Sequence, residues 1–222
     1  MCGRFSIAEE LIRLQLQFQF EFSEELTPRY NVAPSQKVLT VVDNGGQRTG
    51  KQMKWGLVPS WATDVKIGYK MINARAEGVD IKPSFKNAFK SRRCLILADG
   101  FYEWKVTENG KQPYRFIMKN HKPFAMAGLW ETWAKGDEPL TTCTIITTEP
   151  NDVTRYVHDR MPVILKEEDY DKWLDPKFSL TSELKSLLVP YTAEEMDKYA
   201  VSTLINSPKN DLAELLSPLN SL

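Results

Sequence analysis

Arg93-Cys94-Leu95-Ile96-Leu97-Ala98-Asp99-Gly100-Phe101-Tyr102-Glu103-Trp104-Lys105-Val106, followed by Glu108-Asn109-Gly110-Lys111 and Pro113–Lys119, is the stretch that sets the fold. A run rich in apolar and aromatic residues, an Asn-Gly turn and a second run with Phe116 and Ile117 predict a hairpin of Arg93–Val106 against Pro113–Lys119. Outward from it, Lys37–Val42 and Lys51–Val58 flank Asp43-Asn44-Gly45-Gly46 as a second hairpin, and Phe124–Trp133 and Thr141–Thr148 read as further strands. Short helices are expected at Ser84–Ser91, Asn151–His158, Lys166–Leu174 and Leu180–Leu188, and strands at Met161–Leu165 and Tyr199–Ile205. Near the start, Ser6-Ile7-Ala8-Glu9 has the form of a capping box. It predicts an amphipathic helix with Ile7, Leu11, Leu14 and Phe18 on one face, which would pin the preceding tetrapeptide. Antiparallel strands with peripheral helices give an α+β fold: a mainly antiparallel, strongly curved or barrel-like sheet. No linker rich in Gly, Ser or Pro divides the chain, so residues 1–222 read as a single domain.

With 42% hydrophobic and 26% charged residues the composition is that of a globular protein, and no apolar run approaches the roughly 20 residues of a membrane span. The first residues lack a signal-peptide layout, so the expected address is the cytoplasm, at the nucleoid when DNA is its partner. Three cysteines without C-x-x-C spacing suggest neither a disulfide framework nor a zinc site, and no metal or organic cofactor is called for. Cys94 and Cys143 lie in apolar runs and read as buried strand residues. Net charge is zero, but its distribution is uneven. Between Lys51 and Arg93 stand ten basic residues (Lys51, Lys54, Lys66, Lys70, Arg75, Lys82, Lys86, Lys90, Arg92, Arg93) and three acids (Asp64, Glu77, Asp80). That segment is either an ordinary solvated surface or a local positive field suited to nucleic acid.

The chain opens Met1-Cys2-Gly3-Arg4. A small second residue permits loss of the initiator methionine, which would expose the Cys2 amine beside its thiol. An α-amine titrates near ~7.7–8.0, so part of it is neutral and nucleophilic at physiological pH. It can condense with an aldehyde to an imine, and the thiol can close on the imine carbon to give a thiazolidine. The residues alone leave three readings open: an incidental cysteine, an aldehyde-capturing aminothiol, or an N-terminal nucleophile for acyl transfer, as in a thiol peptidase or glutamine amidotransferase. Glu103, among apolar neighbours, is either an outward strand residue or a carboxyl raised by burial for proton transfer. His158, one of two histidines, is either a helix cap or a proton relay.

Six motifs run in order from residue 2 to about 162: Met1-Cys2-Gly3-Arg4-Phe5, Tyr30-Asn31-Val32-Ala33-Pro34-Ser35-Gln36, Trp55-Gly56-Leu57-Val58-Pro59-Ser60-Trp61, Asn73-Ala74-Arg75-Ala76-Glu77, Asp99-Gly100-Phe101-Tyr102-Glu103-Trp104 and His158-Asp159-Arg160-Met161-Pro162. Together they resemble the SRAP family (SOS response-associated peptidase). The resemblance implies a protein that crosslinks itself to abasic sites in single-stranded DNA, protecting the lesion. It implies Cys2 as the reacting group, Glu103 assisting sugar ring opening and proton transfer, and His158 relaying protons. Asn73 would hold the Cys2 amine, Arg4, Arg75 and Arg160 would contact phosphates, and Pro34, Trp55 and Trp61 would offer flat surfaces to bases. The expected state is a monomer, without a membrane partner. Autocatalytic removal of Met1, strand cleavage and crosslink reversal fit the same chemistry. A non-covalent DNA-binding module remains a rival, distinguished by indifference to Cys2→Ala.

Overall fold

A computed structural model describes residues 2–219; the expected removal of Met1 lies outside them. The strands are β1 (Phe5–Ile7), β2 (Arg29–Val32), β3 (Lys37–Asp43), β4 (Arg48–Trp55), β5 (Asn73–Arg75), β6 (Arg93–Ala98), β7 (Gly100–Thr107), β8 (Gly110–Met118), β9 (Phe124–Trp133), β10 (Leu140–Thr148), β11 (Met161–Pro162) and β12 (Met196–Ala200). The helices are α1 (Leu11–Phe18), α2 (Lys86–Ser91), α3 (Tyr170–Leu174) and α4 (Thr181–Ser186), with short 3-10 segments between them. None is long and apolar enough to cross a membrane.

Strands β10, β4, β3, β6 and β9 pair in that order, and β9 returns to β10 with Cys143 opposite Trp130, closing a barrel. All its ladders are antiparallel except β4 with β10. Beyond the barrel rim β10 runs on, pairing β5 in parallel at Ile145–Thr147 and β11 at Thr147 and Thr148. A second, antiparallel sheet has the order β12-β8-β7-β1-β2. The α+β reading with a barrel-like, mainly antiparallel sheet therefore holds. Closure removes the free edges that an open sheet of such apolar strands would expose.

The stretch Arg93–Val106 is two strands, one in each sheet, broken at Asp99. Continuous apolarity through β6 reflects burial on both faces: all its residues are buried, and Trp173 of α3 reaches across to donate to the Cys94 carbonyl at 3.0 Å. Asp99 cannot continue such a strand. Its carboxylate instead accepts Ser6 Oγ at 2.6 Å, Arg115 Nη2 at 2.9 Å and the Ala8 N–H. The same contacts explain why Ser6-Ile7-Ala8-Glu9 caps no helix. Ser6 is fully buried in β1 opposite Gly100, and a ladder with a carboxylate partner outcompetes a local cap. The helix begins at Leu11, burying Leu14 and Phe18 but leaving Ile12 and Leu16 exposed.

Three smaller expectations also shift. The second strand of the first hairpin is Arg48–Trp55 and ends where Gly56 takes φ +127°, a conformation that side chains disfavour. Asn151–His158 forms successive turns, because Asn151 Oδ1 accepts the Val153 and Thr154 N–H groups. The late strand is Met196–Ala200, and Ser202 caps a 3-10 turn over Thr203–Asn206 where a strand was expected. Cys94 and Cys143 are buried strand residues.

Arg93, counted above among surface charges, is 2% exposed. Its guanidinium donates to the carbonyls of Phe89, Lys90, Trp173, Asp175 and Phe178, binding the ends of α2 and α3 to the start of β6. Arg93→Met keeps the stem but orphans these carbonyls. It should cost at least about 3 kcal/mol, read as a lower urea midpoint at unchanged slope.

Candidate active site

Cys2 is delivered by β1. Phe5 lies opposite Phe101, and the Tyr102 N–H donates to the Arg4 carbonyl at 2.9 Å, so the amino-terminal residues run antiparallel to β7 toward Glu103. Alternation along β7 puts Glu103 on the face of Phe101, which stacks on Phe116 with centroids 4.8 Å apart. Tyr102, on the other face, packs with Val201, Ile205 and Leu215. Glu103 is thereby carried into the interior at 3% exposure, and Cys2 is fully buried.

Burial pushes the Glu103 carboxyl up to about 8. The Cys2 thiol is raised far above its ordinary range, first by burial and then by the Glu103 carboxylate beside it. His158 is lowered, again chiefly by burial. Its Nδ1 accepts the Arg160 N–H at 3.0 Å, which leaves the proton of the neutral ring on Nε2, 3.8 Å from Glu103 Oε2. Nδ1 also lies 3.0 Å from Asp159 Oδ1, an exposed carboxylate that becomes a true partner only when the ring is protonated. Near neutral pH the carboxyl and imidazole are thus driven toward their uncharged forms, and their contact is dipolar rather than an ion pair.

Asn73 sits at the start of β5, where pairing with Ile145 fixes its backbone. Its Nδ2 donates to the Cys2 carbonyl at 3.0 Å and to the Ile72 carbonyl at 2.8 Å. The side chain therefore holds the carbonyl of Cys2, where the sequence reading had it hold the amine. Its buried Oδ1 has no hydrogen-bond partner among the described residues.

The structure brings Cys2, Asn73, Glu103 and His158 together, and distributes the other candidates differently. Trp55 is corrected from base platform to core residue: it is 1% exposed, packs on Phe5 with centroids 5.2 Å apart, and donates Nε1 to the Ile72 carbonyl. Arg4 is half-buried, with Nη1 bonded to Asn31 Oδ1 and to the Ile205 carbonyl, both at 2.7 Å, and its guanidinium over Trp104. Arg160 forms a two-pronged pair with Glu77 and reaches the Thr147 carbonyl at 2.6 Å. Arg75 is exposed, Pro34 is half-buried, and Trp61 is 51% exposed. Of the basic segment, Arg93 is internal and Arg92 pairs with Glu131, whereas Lys51, Lys66, Lys70, Lys82, Lys86 and Lys90 remain on the surface.

Two contributors escaped the sequence reading. Asn31, fully buried, accepts from Arg4 and donates to the carbonyls of Ile205, Ser207 and Asn210. Asp211 accepts the N–H groups of Tyr30 and Asn31. Asn31 stands inside the Tyr30–Gln36 motif, so the signal was present. Asp211, far along an acidic tail, gave none.

Fold and site together define a barrel protein in which Cys2 lies beside a buried carboxyl–imidazole pair. The chain belongs to the SOS response associated peptidase (SRAP) family, whose model matches residues 1–208. It is 50% identical to the abasic site processing protein YoqW of Bacillus subtilis over 97% of this chain and 99% of that one. It is 36% identical to the abasic site processing protein HMCES of Gallus gallus, over 86% of this chain and 66% of that one. Among solved structures, a protein from Bacteroides thetaiotaomicron superimposes with a TM-score of 0.88 at 28% identity, covering 98% of this chain and 99% of that one.

Because the folded-state value of Glu103 lies above its unfolded value, the native state holds the extra proton between about pH 4.3 and 8. Its stability contribution is complete below that window and declines as pH rises through it. Glu103→Gln should remove this decline, so that urea midpoints of variant and parent diverge in the variant's favour between pH 5 and pH 8.

Proposed function

We propose that this protein processes abasic sites in single-stranded DNA by covalent capture at Cys2. The observation that carries the reading is the position of Cys2. Its carbonyl is pinned by Asn73, and Glu103, protonated up to about pH 8, stands beside it. The unused Asn73 Oδ1 is an acceptor suited to the amine once Met1 is gone.

The ring-opened abasic sugar presents an aldehyde. Protonated Glu103 assists opening of the closed sugar, the Cys2 amine adds to the aldehyde carbon, and the resulting carbinolamine loses water as Glu103 supplies the proton. The thiol then adds to the imine carbon and its proton passes to nitrogen, closing a thiazolidine. The nitrogen proton released as the imine forms returns to Glu103, and His158, whose Nε2 faces that carboxyl, holds it in place. Each step is reversible, which accommodates crosslink reversal; strand cleavage would instead follow from loss of the sugar C2′ proton at the imine stage with departure of the 3′ phosphate. Arg75, and the remaining N–H groups of Arg4 and Arg160, take phosphates; Trp61 and Pro34 give surfaces to flanking bases.

The rival reading, a thiol peptidase or amidotransferase, requires a depressed thiol pKa or an adjacent base to make thiolate. Burial and the neighbouring carboxylate drive the Cys2 thiol the opposite way. An amine-first mechanism needs no thiolate in its initial step, so the electrostatics favour it.

Mixed with an oligonucleotide bearing one abasic site, the protein should give a heat-stable band of reduced mobility on a denaturing gel. Cys2→Ala should give no such band. Cys2→Ser keeps the amine but cannot form the thiazolidine, so its product should survive only after borohydride reduction. Equal adduct from Cys2→Ala and parent would sink the proposal.

Glu103→Gln should slow single-turnover crosslinking by about a hundredfold or more. The parent's rate should fall above about pH 8, as the raised carboxyl of Glu103 loses its proton, and the variant should lack that limb. A parent profile without this alkaline limb would remove Glu103 from the proton-donor role.

A further inference from the structure

Beyond the β4 terminus lies a cleft of about 180 Å³ that takes no part in the chemistry described. Its floor is peptide backbone. A Cβ on Gly56 would lie 2.6 Å from the Gly68 carbonyl oxygen, and one on Gly68 would lie 2.7 Å from that of Gly56. Two chain segments therefore touch without side chains between them. One wall is Trp55. The other is Tyr69, 66% exposed, on the 3-10 segment Val65–Lys70. Ser35, Val58 and Val65 also line it, together with Lys54 and Lys66, neither of which has an ion-pair partner among the described residues.

The cleft is joined to the reactive centre by one residue. The Ile72 carbonyl accepts Trp55 Nε1 at 2.9 Å and Asn73 Nδ2 at 2.8 Å, and the same Nδ2 donates to the Cys2 carbonyl. The wall of the cleft and the clamp on Cys2 are therefore held by a common acceptor.

An aromatic ring left largely in solvent is unexplained by packing. An exposed aromatic residue and two lysines lining one cleft with a backbone floor are the features that hold a nucleobase of single-stranded nucleic acid and its phosphate. We infer that this cleft receives the base of a nucleotide neighbouring the abasic site, stacked on Tyr69, with Lys66 and Lys54 taking the adjoining phosphate. Stacking of this kind tolerates any base, as capture of a lesion in any sequence requires. The inference rests on the proposed function and assigns it a subsite.

The test uses the full chain and single-stranded oligonucleotides carrying tetrahydrofuran, an unreactive abasic analogue, with binding followed by fluorescence anisotropy. In two further oligonucleotides the 5′ or the 3′ neighbour is also made baseless. For one of these, parent binding should weaken about tenfold, the effect of losing one stacked base. Tyr69→Ala, a change at an exposed position, should weaken binding to the intact oligonucleotide by a similar factor and be indifferent to that second deletion. Lys66→Gln should flatten the dependence of affinity on salt.

Full neighbour dependence in Tyr69→Ala, or none in the parent, would overturn the subsite. A parallel incubation with reactive abasic DNA separates the two levels. A parent adduct without neighbour dependence removes only the cleft's role, whereas no adduct removes the function on which it rests.

Discussion

The carboxylate of Asp99 is the joint on which the arrangement turns. It stands between β6 of the barrel and β7 of the second sheet, and it binds the Ser6 hydroxyl, the Ala8 N–H and Arg115 together. Arg115 and Asp99 are nearly enclosed, with side chains 9% and 13% exposed, and Arg115 continues to the Tyr199 hydroxyl at 2.8 Å. Breaking such an enclosed pair by removing one partner costs about 3–5 kcal/mol in other proteins, because the remaining charge stays buried. Here its consequence is also geometric. By fixing the end of β1 against the start of β7, it sets the register that brings Cys2 alongside Glu103.

The site itself is governed by desolvation more than by charge pairing. Cys2, Glu103 and His158 are each displaced toward the neutral form, with burial the largest cause in every case. A buried carboxylic acid that keeps its proton near neutral pH is a donor, and a neutral imidazole beside it adds no charge that would draw the proton off. Condensation of an amine with an aldehyde needs this combination, since it must deliver a proton to departing water without protonating the amine. The charged groups are held at the margin. Arg160 is engaged by Glu77, Arg4 by Asn31 and the Ile205 carbonyl, and Arg75 is open to solvent.

Much of this was legible in the sequence because it is written locally. Gly45-Gly46 and Asn109-Gly110 marked their hairpins, and Cys2, Asn73, Glu103 and His158 each stood in a compact motif. What failed were readings that only distant contacts decide. The apolar run from Arg93 gave no sign that Asp99 would pass the chain to another sheet. Ser6 had the local form of a cap, but its partner lies 93 residues away. Trp55 offered an aromatic ring at a motif edge, and nothing local said that Phe5 and Ile72 would enclose it. The strap through Asp211, which secures Asn31 and with it Arg4, joins segments about 180 residues apart and has no pattern of its own.

The central claim, that the amino terminus of Cys2 is the group that captures the lesion, is tested most directly by intact mass spectrometry with peptide mapping. Protein shown to lack Met1 is incubated with single-stranded DNA carrying one abasic site. The account predicts a product with the summed mass of protein and oligonucleotide less one water, the modification confined to the peptide that begins at Cys2. An adduct mapped to a lysine, or no adduct from protein verified to begin at Cys2, would contradict it.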